Sequence, residues 1–263
     1  MQYPSSAVLL SCREAKSSLD DKLKWWPCEM TWVKICGMTN LEDALTAVDA
    51  GADAVGFVFY EKSPRNISVE AAREIVGKLP GSVEKVGVFA GDLIEGAVDS
   101  SLQAGFDALQ IYLLTYRKPA AGDGLQAHAT GSNGLKTYLA LPVTVFLGPE
   151  SKNVAGFRMD RSAGVLDALF LDSGNAQQPG GTGERFNWRE AAHAVHDLSL
   201  HQKVVIAGGL RAENVMEAIH ILKPWGVDVV SGVEARPGKK DPEKVHAFVK
   251  AVRDAETVHG SRG

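Results

Sequence analysis

The chain has 263 residues, 45% of them hydrophobic and 27 of them glycine, enough to bury a large core within a single barrel-sized domain. Its formal net charge is −4 and its basic residues are scattered, which removes the electrostatic footprint of a nucleic-acid binder and favours small, soluble partners. Three cysteines, Cys12, Cys28 and Cys36, make an odd count without metal-ligand spacing, which argues against a disulfide framework and for a reducing, cytoplasmic setting.

The longest apolar runs are strand-length, far short of the roughly 20 residues that span a bilayer, so no membrane partner is expected. Residues 1–29 are polar and aperiodic. Ala7-Val8-Leu9-Leu10 is too short for a signal-peptide core and no positive residue precedes it. Met30-Thr31-Trp32-Val33-Lys34-Ile35-Cys36 then starts directly into a strand pattern. Residues 1–30 are therefore read as an N-terminal extension, with Met30 as an alternative start, residues 31–256 as the folded domain, and residues 257–263 as a C-terminal tail.

Cys36 ends the first strand, and the two-residue period places it on the same face as Lys34. A lone strand cysteine is often a small core hydrophobe. A neighbouring cation would instead lower its pKa and supply thiolate as base or nucleophile, and Lys34 joins it as a candidate substrate contact. Leu41, Ala44, Leu45 and Val48 follow at helical spacing behind a capping box of Thr39 and Glu42.

A short pattern then recurs four times: Gly51-Ala52-Asp53-Ala54, Gly105-Phe106-Asp107-Ala108, Gly164-Val165-Leu166-Asp167-Ala168 and Gly226-Val227-Asp228-Val229. Its aspartates are 54, 60 and 61 residues apart, about two strand–helix units each. Each copy introduces an apolar run, at Val55–Phe59, Leu109–Tyr112, Leu169–Leu171 and Val229–Val230. The intervening strands are read at Val33–Cys36, Lys85–Phe89, Val143–Leu147 and Val204–Ala207. Near-continuous apolar strands alternating with helices describe a parallel α/β fold, and eight such units favour a closed (β/α)8 TIM barrel. The four aspartates are assigned to the ends where helices hand over to strands, the stability face, which puts function at the opposite strand ends.

Asp172 follows Leu169-Phe170-Leu171, a buried run that would desolvate its carboxylate and favour the protonated form a general acid needs, although a turn or cap role is equally open. Gly180-Gly181-Thr182-Gly183, Gly208-Gly209 and Ser231-Gly232 lie after strands six, seven and eight. Glycines there let backbone N–H groups approach an anion, so Gly181, Gly183, Gly208, Gly209, Ser231 and Gly232 are phosphate-binding candidates, although a tight turn explains any one cluster alone. Asn187 can cap the sixth helix. Val245, Phe248, Val249 and Val252 form the face of a last helix behind Asp241 and Pro242.

Between about Val33 and Val252 these residues resemble the phosphoribosylanthranilate isomerase family of tryptophan biosynthesis. The specific segments are Lys34-Ile35-Cys36-Gly37, Ser63-Pro64-Arg65-Asn66-Ile67, Leu171-Asp172-Ser173, Gly180-Gly181-Thr182-Gly183 and Ser231-Gly232-Val233-Glu234. The resemblance implies Cys36 as general base, Asp172 as general acid and Arg65 as the contact for the substrate's anthranilate carboxylate. It implies an Amadori rearrangement of N-(5-phosphoribosyl)anthranilate, without metal or organic cofactor, in a monomer or homodimer. One segment departs: Gln110-Ile111-Tyr112-Leu113 stands where the family pattern reads Gln-Leu-His-Gly, so Gln110 is retained as a substrate contact and the histidine is not. The rival readings are the histidine-pathway isomerase, against which Cys36 speaks because that family resemblance implies an aspartate there, and a silent barrel that binds a sugar phosphate as a sensor or scaffold.

Overall fold

Residues 30–90, 96–112, 134–147, 166–174 and 185–257 are described in the computed structural model of the chain. Eight strands, β1 (Trp32–Cys36), β2 (Ala54–Phe59), β3 (Glu84–Ala90), β4 (Ala108–Tyr112), β5 (Lys136–Pro142), β6 (Ala168–Asp172), β7 (Val204–Ile206) and β8 (Gly226–Val229), pair in chain order, and β8 closes onto β1. All these pairings are parallel. Period-two alternation sorts each strand's side chains. Val33 and Ile35 join the outer core beneath the helices, whereas Lys34 and Cys36 face the barrel interior with Val86, Ala108, Tyr138 and Phe170. Each large apolar side chain withdrawn fully from water stabilises by about 1.5–3 kcal/mol, which is why the near-continuous apolar runs become strands covered on both faces.

The described helices are α1 (Leu41–Asp49), α2 (Val69–Val76), α3 (Ala97–Ala104), α4 (Trp188–Ser199), α5 (Val215–Leu222) and α6 (Pro242–Thr257). Asn40, not Thr39, caps α1: its side chain accepts from the Asp43 N–H at 2.9 Å, while Thr39 Oγ1 donates to the Gly238 carbonyl at 2.6 Å. The α1 face is also turned from the expected one, with Asp43, Ala44 and Ala47 buried and Leu45 exposed. The cause is a short antiparallel hairpin after β8, β9 (Glu234–Arg236) and β10 (Lys239–Lys240), whose Lys240 N–H and Lys239 Nζ both donate to the Asp43 carboxylate. Asn187 caps α4 as expected, accepting from Glu190 N–H, and Val245, Phe248, Val249 and Val252 form the buried face of α6.

The fifth strand lies earlier than the sequence suggested. Lys136–Pro142 pairs with β4 and β6, whereas Val143–Phe146 is a 3₁₀ turn. Val143 and Phe146 are both buried, as three residues per turn requires, so an apolar run that read as a strand is one face of a turn.

Three of the four repeated aspartates act as clamps. Asp53 Oδ2 accepts from Val33 N–H, Asp107 Oδ2 from Lys85 N–H and Asp167 Oδ2 from Thr137 N–H, each at 2.8 Å, while each aspartate's own N–H donates back to the same residue's carbonyl. They tie the starts of β1–β2, β3–β4 and β5–β6 at the face opposite the candidate site. The fourth does not. Trp225 occupies the equivalent place, donating its N–H to Val204 carbonyl at 2.9 Å, and Asp228 lies three residues on, inside β8. The fourth copy of the motif is thus out of step with the strand, and its carboxylate faces the barrel interior.

No helix among the described residues is long and apolar enough to cross a membrane. The extension over residues 1–29 and the tail from residue 258 lie outside the described residues.

Candidate active site

Aromatic rings fill the N-terminal half of the barrel. Trp32 meets Tyr138 and Phe170 edge-on at 6.1 Å and stacks on Trp225 at 5.1 Å between centroids. On this floor stands Lys34, fully buried, its Nζ 5.5 Å above the centre of the Phe170 ring and 3.0 Å from Asp228 Oδ1. Cys36 lies one turn of the pleat higher and hydrogen-bonds to Lys34. The close approach depends on Gly56 opposite: a Cβ there would stand 2.6 Å from Cys36 Sγ and 3.0 Å from Lys34 Nζ.

Burial works against the Lys34 ammonium, but Asp228 and Cys36 outweigh it and hold the pKa above the ordinary lysine value. Lys34 is therefore a cation committed to its neighbours. For Cys36 the expected direction is reversed. Burial pushes the thiol above its ordinary pKa; Lys34 pulls it down, Asp228 adds to the rise, and the balance stays with burial. A cation beside a thiol does not free the thiolate when the same site is dry and the cation already has a carboxylate.

Asp172 ends β6 and is buried. Burial pushes its carboxyl up to about 6, against the opposing pull of a 2.6 Å hydrogen bond from Gly174 N–H. Asp228 adds to the rise and Lys34 opposes it. The same Lys34–Asp228 pair therefore acts on both Cys36 and Asp172.

Arg65, from the segment after β2, is buried against the mouth of β1: a Cβ on Gly37 would lie 3.1 Å from Arg65 Cδ. Its Nε and Nη2 grip Glu234 Oε1 and Oε2 at 3.0 and 2.7 Å. Lys240 Nζ, also buried, donates to Glu234 Oε1 at 3.3 Å and to Val230 carbonyl at 3.1 Å. Burial alone would raise the Glu234 carboxyl, but Arg65 and Lys240 hold it below the usual range. Burial pushes Lys240 down despite Glu234.

Gln110 lies on the interior face of β4, buried, and its Oε1 has no hydrogen-bond partner among the described residues. A buried acceptor left unpaired costs about 1–3 kcal/mol, so this atom is a standing demand for a donor. Tyr112, in the place of the expected histidine, is buried two residues further along the strand. Gly208 and Gly209 follow β7 with φ of 85° and 63°, and a Cβ on Gly208 would fall 2.1 Å from Ser173 Oγ, just past Asp172. Ser231 and Gly232 lie in a 3₁₀ turn, Ser231–Val233, directly after β8. A Cβ on Gly232 would stand 1.9 Å from Leu210 carbonyl, so the seventh and eighth loops touch through bare backbone. Gly181 and Gly183 lie outside the described residues.

The structure thus brings Lys34, Cys36, Asp172 and the Gly208 and Ser231 loops to one end of the barrel, with Arg65 beside Gly37 and Gln110 facing the interior. Asp228, Glu234, Lys240 and Gly56 are the groups that the sequence reading passed over. Asp228 belongs to the repeated motif, yet its carboxylate meets Lys34 inside the barrel and not the strand starts; Glu234 ends the Ser231–Glu234 segment, where no local pattern signals Arg65 as its partner. Among the described residues no group of three or more His, Cys, Asp or Glu side chains could hold a metal ion.

Residues 33–113 and 122–251 match the family described as N-(5′-phosphoribosyl)anthranilate (PRA) isomerase. The N-(5′-phosphoribosyl)anthranilate isomerase of Geotalea uraniireducens (strain Rf4) is 39% identical over 226 residues, 85% of this chain and 99% of that protein. A phosphoribosyl anthranilate isomerase solved in complex with reduced 1-(o-carboxyphenylamino)-1-deoxyribulose 5-phosphate superposes with a TM-score of 0.68 at 34% identity, covering 86% of this chain and 100% of that one. A crystal structure of monomers of the dimeric enzyme from Thermotoga maritima gives the same TM-score, 0.68, the same 34% identity and the same coverage, 86% and 100%.

Proposed function

The chain belongs to the N-(5′-phosphoribosyl)anthranilate isomerase family, and on that premise we propose that Cys36 is the general base and Asp172 the general acid of its reaction. The activity is an intramolecular aldose–ketose isomerisation of tryptophan biosynthesis. It converts N-(5-phosphoribosyl)anthranilate to 1-(2-carboxyphenylamino)-1-deoxyribulose 5-phosphate by an Amadori rearrangement.

In this reading Asp172 gives its proton to the furanose ring oxygen as the C1′–O bond breaks, and the anilinic nitrogen's lone pair closes a C1′–N double bond. The resulting iminium cation makes the C2′–H acidic. Cys36 thiolate then takes the C2′ proton, and the released electron pair forms the C1′–C2′ double bond and neutralises the nitrogen. Protonation at C1′ and loss of the hydroxyl proton at O2′ give the ketone. The observation that carries the assignment is that Cys36 and Asp172 are buried at strand ends on one face and share the field of a single ion pair, Lys34–Asp228. Lys34 is kept as a candidate substrate contact in this scheme and, paired with Asp228, sets the field around the thiol. Arg65 holds the anthranilate carboxylate, Gln110 Oε1 accepts from a substrate hydroxyl or N–H, and the Gly208, Gly209, Ser231 and Gly232 loops hold the phosphate, with Gly181 and Gly183 completing the set. Fixing both ends of the substrate places its reacting carbons between acid and base.

We also infer a single barrel domain over residues 31–256, a cytoplasmic location in keeping with the cysteine usage, and a monomer or homodimer, since the Thermotoga maritima relative is dimeric. Complementation of a tryptophan auxotroph lacking this isomerase tests the catalytic pair. The intact gene should restore growth and Cys36→Ala or Asp172→Asn should not; growth of either variant equal to that of the intact gene would remove that residue's assigned role.

A further inference from the structure

We propose that Glu234 is a positioning residue for substrate recognition, clamping Arg65 so that one edge of its guanidinium is left for the carboxylate of the substrate's aromatic ring. The proposal rests on the assignment of Arg65 to that carboxylate. Arginine carries five N–H donors in a rigid plane. Glu234 takes the Nε edge, through Nε at 3.0 Å and Nη2 at 2.7 Å, which fixes the plane and leaves the end-on pair, Nη1 and the second N–H of Nη2, for a bidentate partner. The stem is fixed as well, since Arg65 Cδ and Cγ lie against Gly37, the residue after Cys36.

Glu234 is itself immobilised by Gly238 N–H at 3.2 Å and by Lys240 Nζ at 3.3 Å. Glu234 is thus held between two buried basic side chains, and the end-on edge of Arg65 keeps its donors for a carboxylate from the ligand. Holding the hairpin in place does not explain the pair. Thr39 and Asp43 already bind the hairpin through Gly238 carbonyl, Lys239 Nζ and Lys240 N–H. The specific consequence of the Arg65–Glu234 contact therefore falls on Arg65.

The test compares the natural substrate with N-(5′-phosphoribosyl)aniline, which lacks the carboxylate, in the intact enzyme and in Glu234→Gln, Glu234→Asp, Arg65→Lys and the double variant Arg65→Lys/Glu234→Gln. Glu234→Gln should raise KM for the natural substrate by about tenfold while kcat stays within about threefold, and should leave the aniline analogue's kcat/KM nearly unchanged. Glu234→Asp, which keeps the charge but sets it one methylene back, should lose part of the preference. The double variant should lose no more preference than Arg65→Lys alone, because both changes remove one interaction. Equal losses on both substrates in both Glu234 variants would overturn the proposal and leave Glu234 a structural residue. Full preference for the carboxylate in Arg65→Lys would instead overturn the assignment of Arg65, whatever the Glu234 variants do. Should Glu234→Gln fail to fold, Glu234→Asp decides the question by the same ratio.

Discussion

A carboxyl whose pKa is raised by burial from 3.8 to about 6 makes the folded protein bind a proton more tightly than the unfolded chain does. The stabilisation belongs to the protonated form: it is fully present below the unfolded value and is lost as pH rises through the folded one. At neutral pH Asp172 therefore costs about 3 kcal/mol relative to acid conditions. Asparagine keeps an acceptor for Gly174 N–H and carries no charge to desolvate. Asp172→Asn should raise the unfolding free energy at pH 7 by about 2–3 kcal/mol, and most of that gain should vanish near pH 4. Denaturant titrations at the two pH values check it, and a gain independent of pH would show that the carboxylate is not strained by burial. The same substitution removes the proposed acid, so stability and activity are expected to move in opposite directions at this residue.

At the scale of the elements, the aspartate clamps make the barrel a set of stapled strand pairs. Asp107 ties the start of β4 to that of β3 through Lys85 N–H, and its Oδ2 lies 3.5 Å from Lys85 Nζ. Asp107→Ala should cost about 1–3 kcal/mol by leaving that backbone donor without its acceptor, with kcat and KM unchanged because the site lies at the other end of the strands. A thermal melt beside steady-state kinetics checks both halves of that expectation. Much of this level was legible in the sequence: the apolar runs gave six strands nearly in place, and the Val245–Val252 face fixed the last helix, whereas the eighth strand, read at Val229–Val230, lies at Gly226–Val229. The fifth strand was not legible, because Val143-Thr144-Val145-Phe146 is more apolar than Lys136-Thr137-Tyr138 and composition does not distinguish a strand from a 3₁₀ turn. Asp228 was misplaced because a motif has no register until strands pair. The Glu234–Arg65 pair spans 169 residues, a separation at which no local pattern signals contact. Cys36 and Asp172 were legible as residues, but the direction of the Cys36 shift depended on burial that only the closed barrel creates.

Taken over the whole molecule, the two proposed catalytic groups rest in the wrong protonation states for their work: near neutral pH the free protein holds a thiol and a carboxylate. The competent form, thiolate with carboxylic acid, has the same total charge and differs by one proton moved from Cys36 to Asp172. Its share is constant between the two pKa values and falls outside them, so kcat/KM should follow a broad bell. The sign inverts the usual assignment. The rise near pH 6 reports Asp172, and the fall in the alkaline range reports Cys36. Alkylation of Cys36 by a small electrophile should titrate with the alkaline limb; alkylation that titrates near pH 6 would overturn this ordering. The displaced aspartate of the fourth motif has a consequence of another kind. Asp228 serves the charge of Lys34, so the start of β8 has Trp225 where its counterparts have a carboxylate, and β7 and β8 share only the pairings Val205–Gly226 and Ile206–Val227. In deuterated water the amides along this seam, Val204 first, should exchange sooner than those of Val33, Lys85 and Thr137. Breathing of the closed sheet would then begin at the starts of the two strands whose far ends lead into the loops proposed to hold the phosphate, and a ligand bridging those loops would oppose it from the other end.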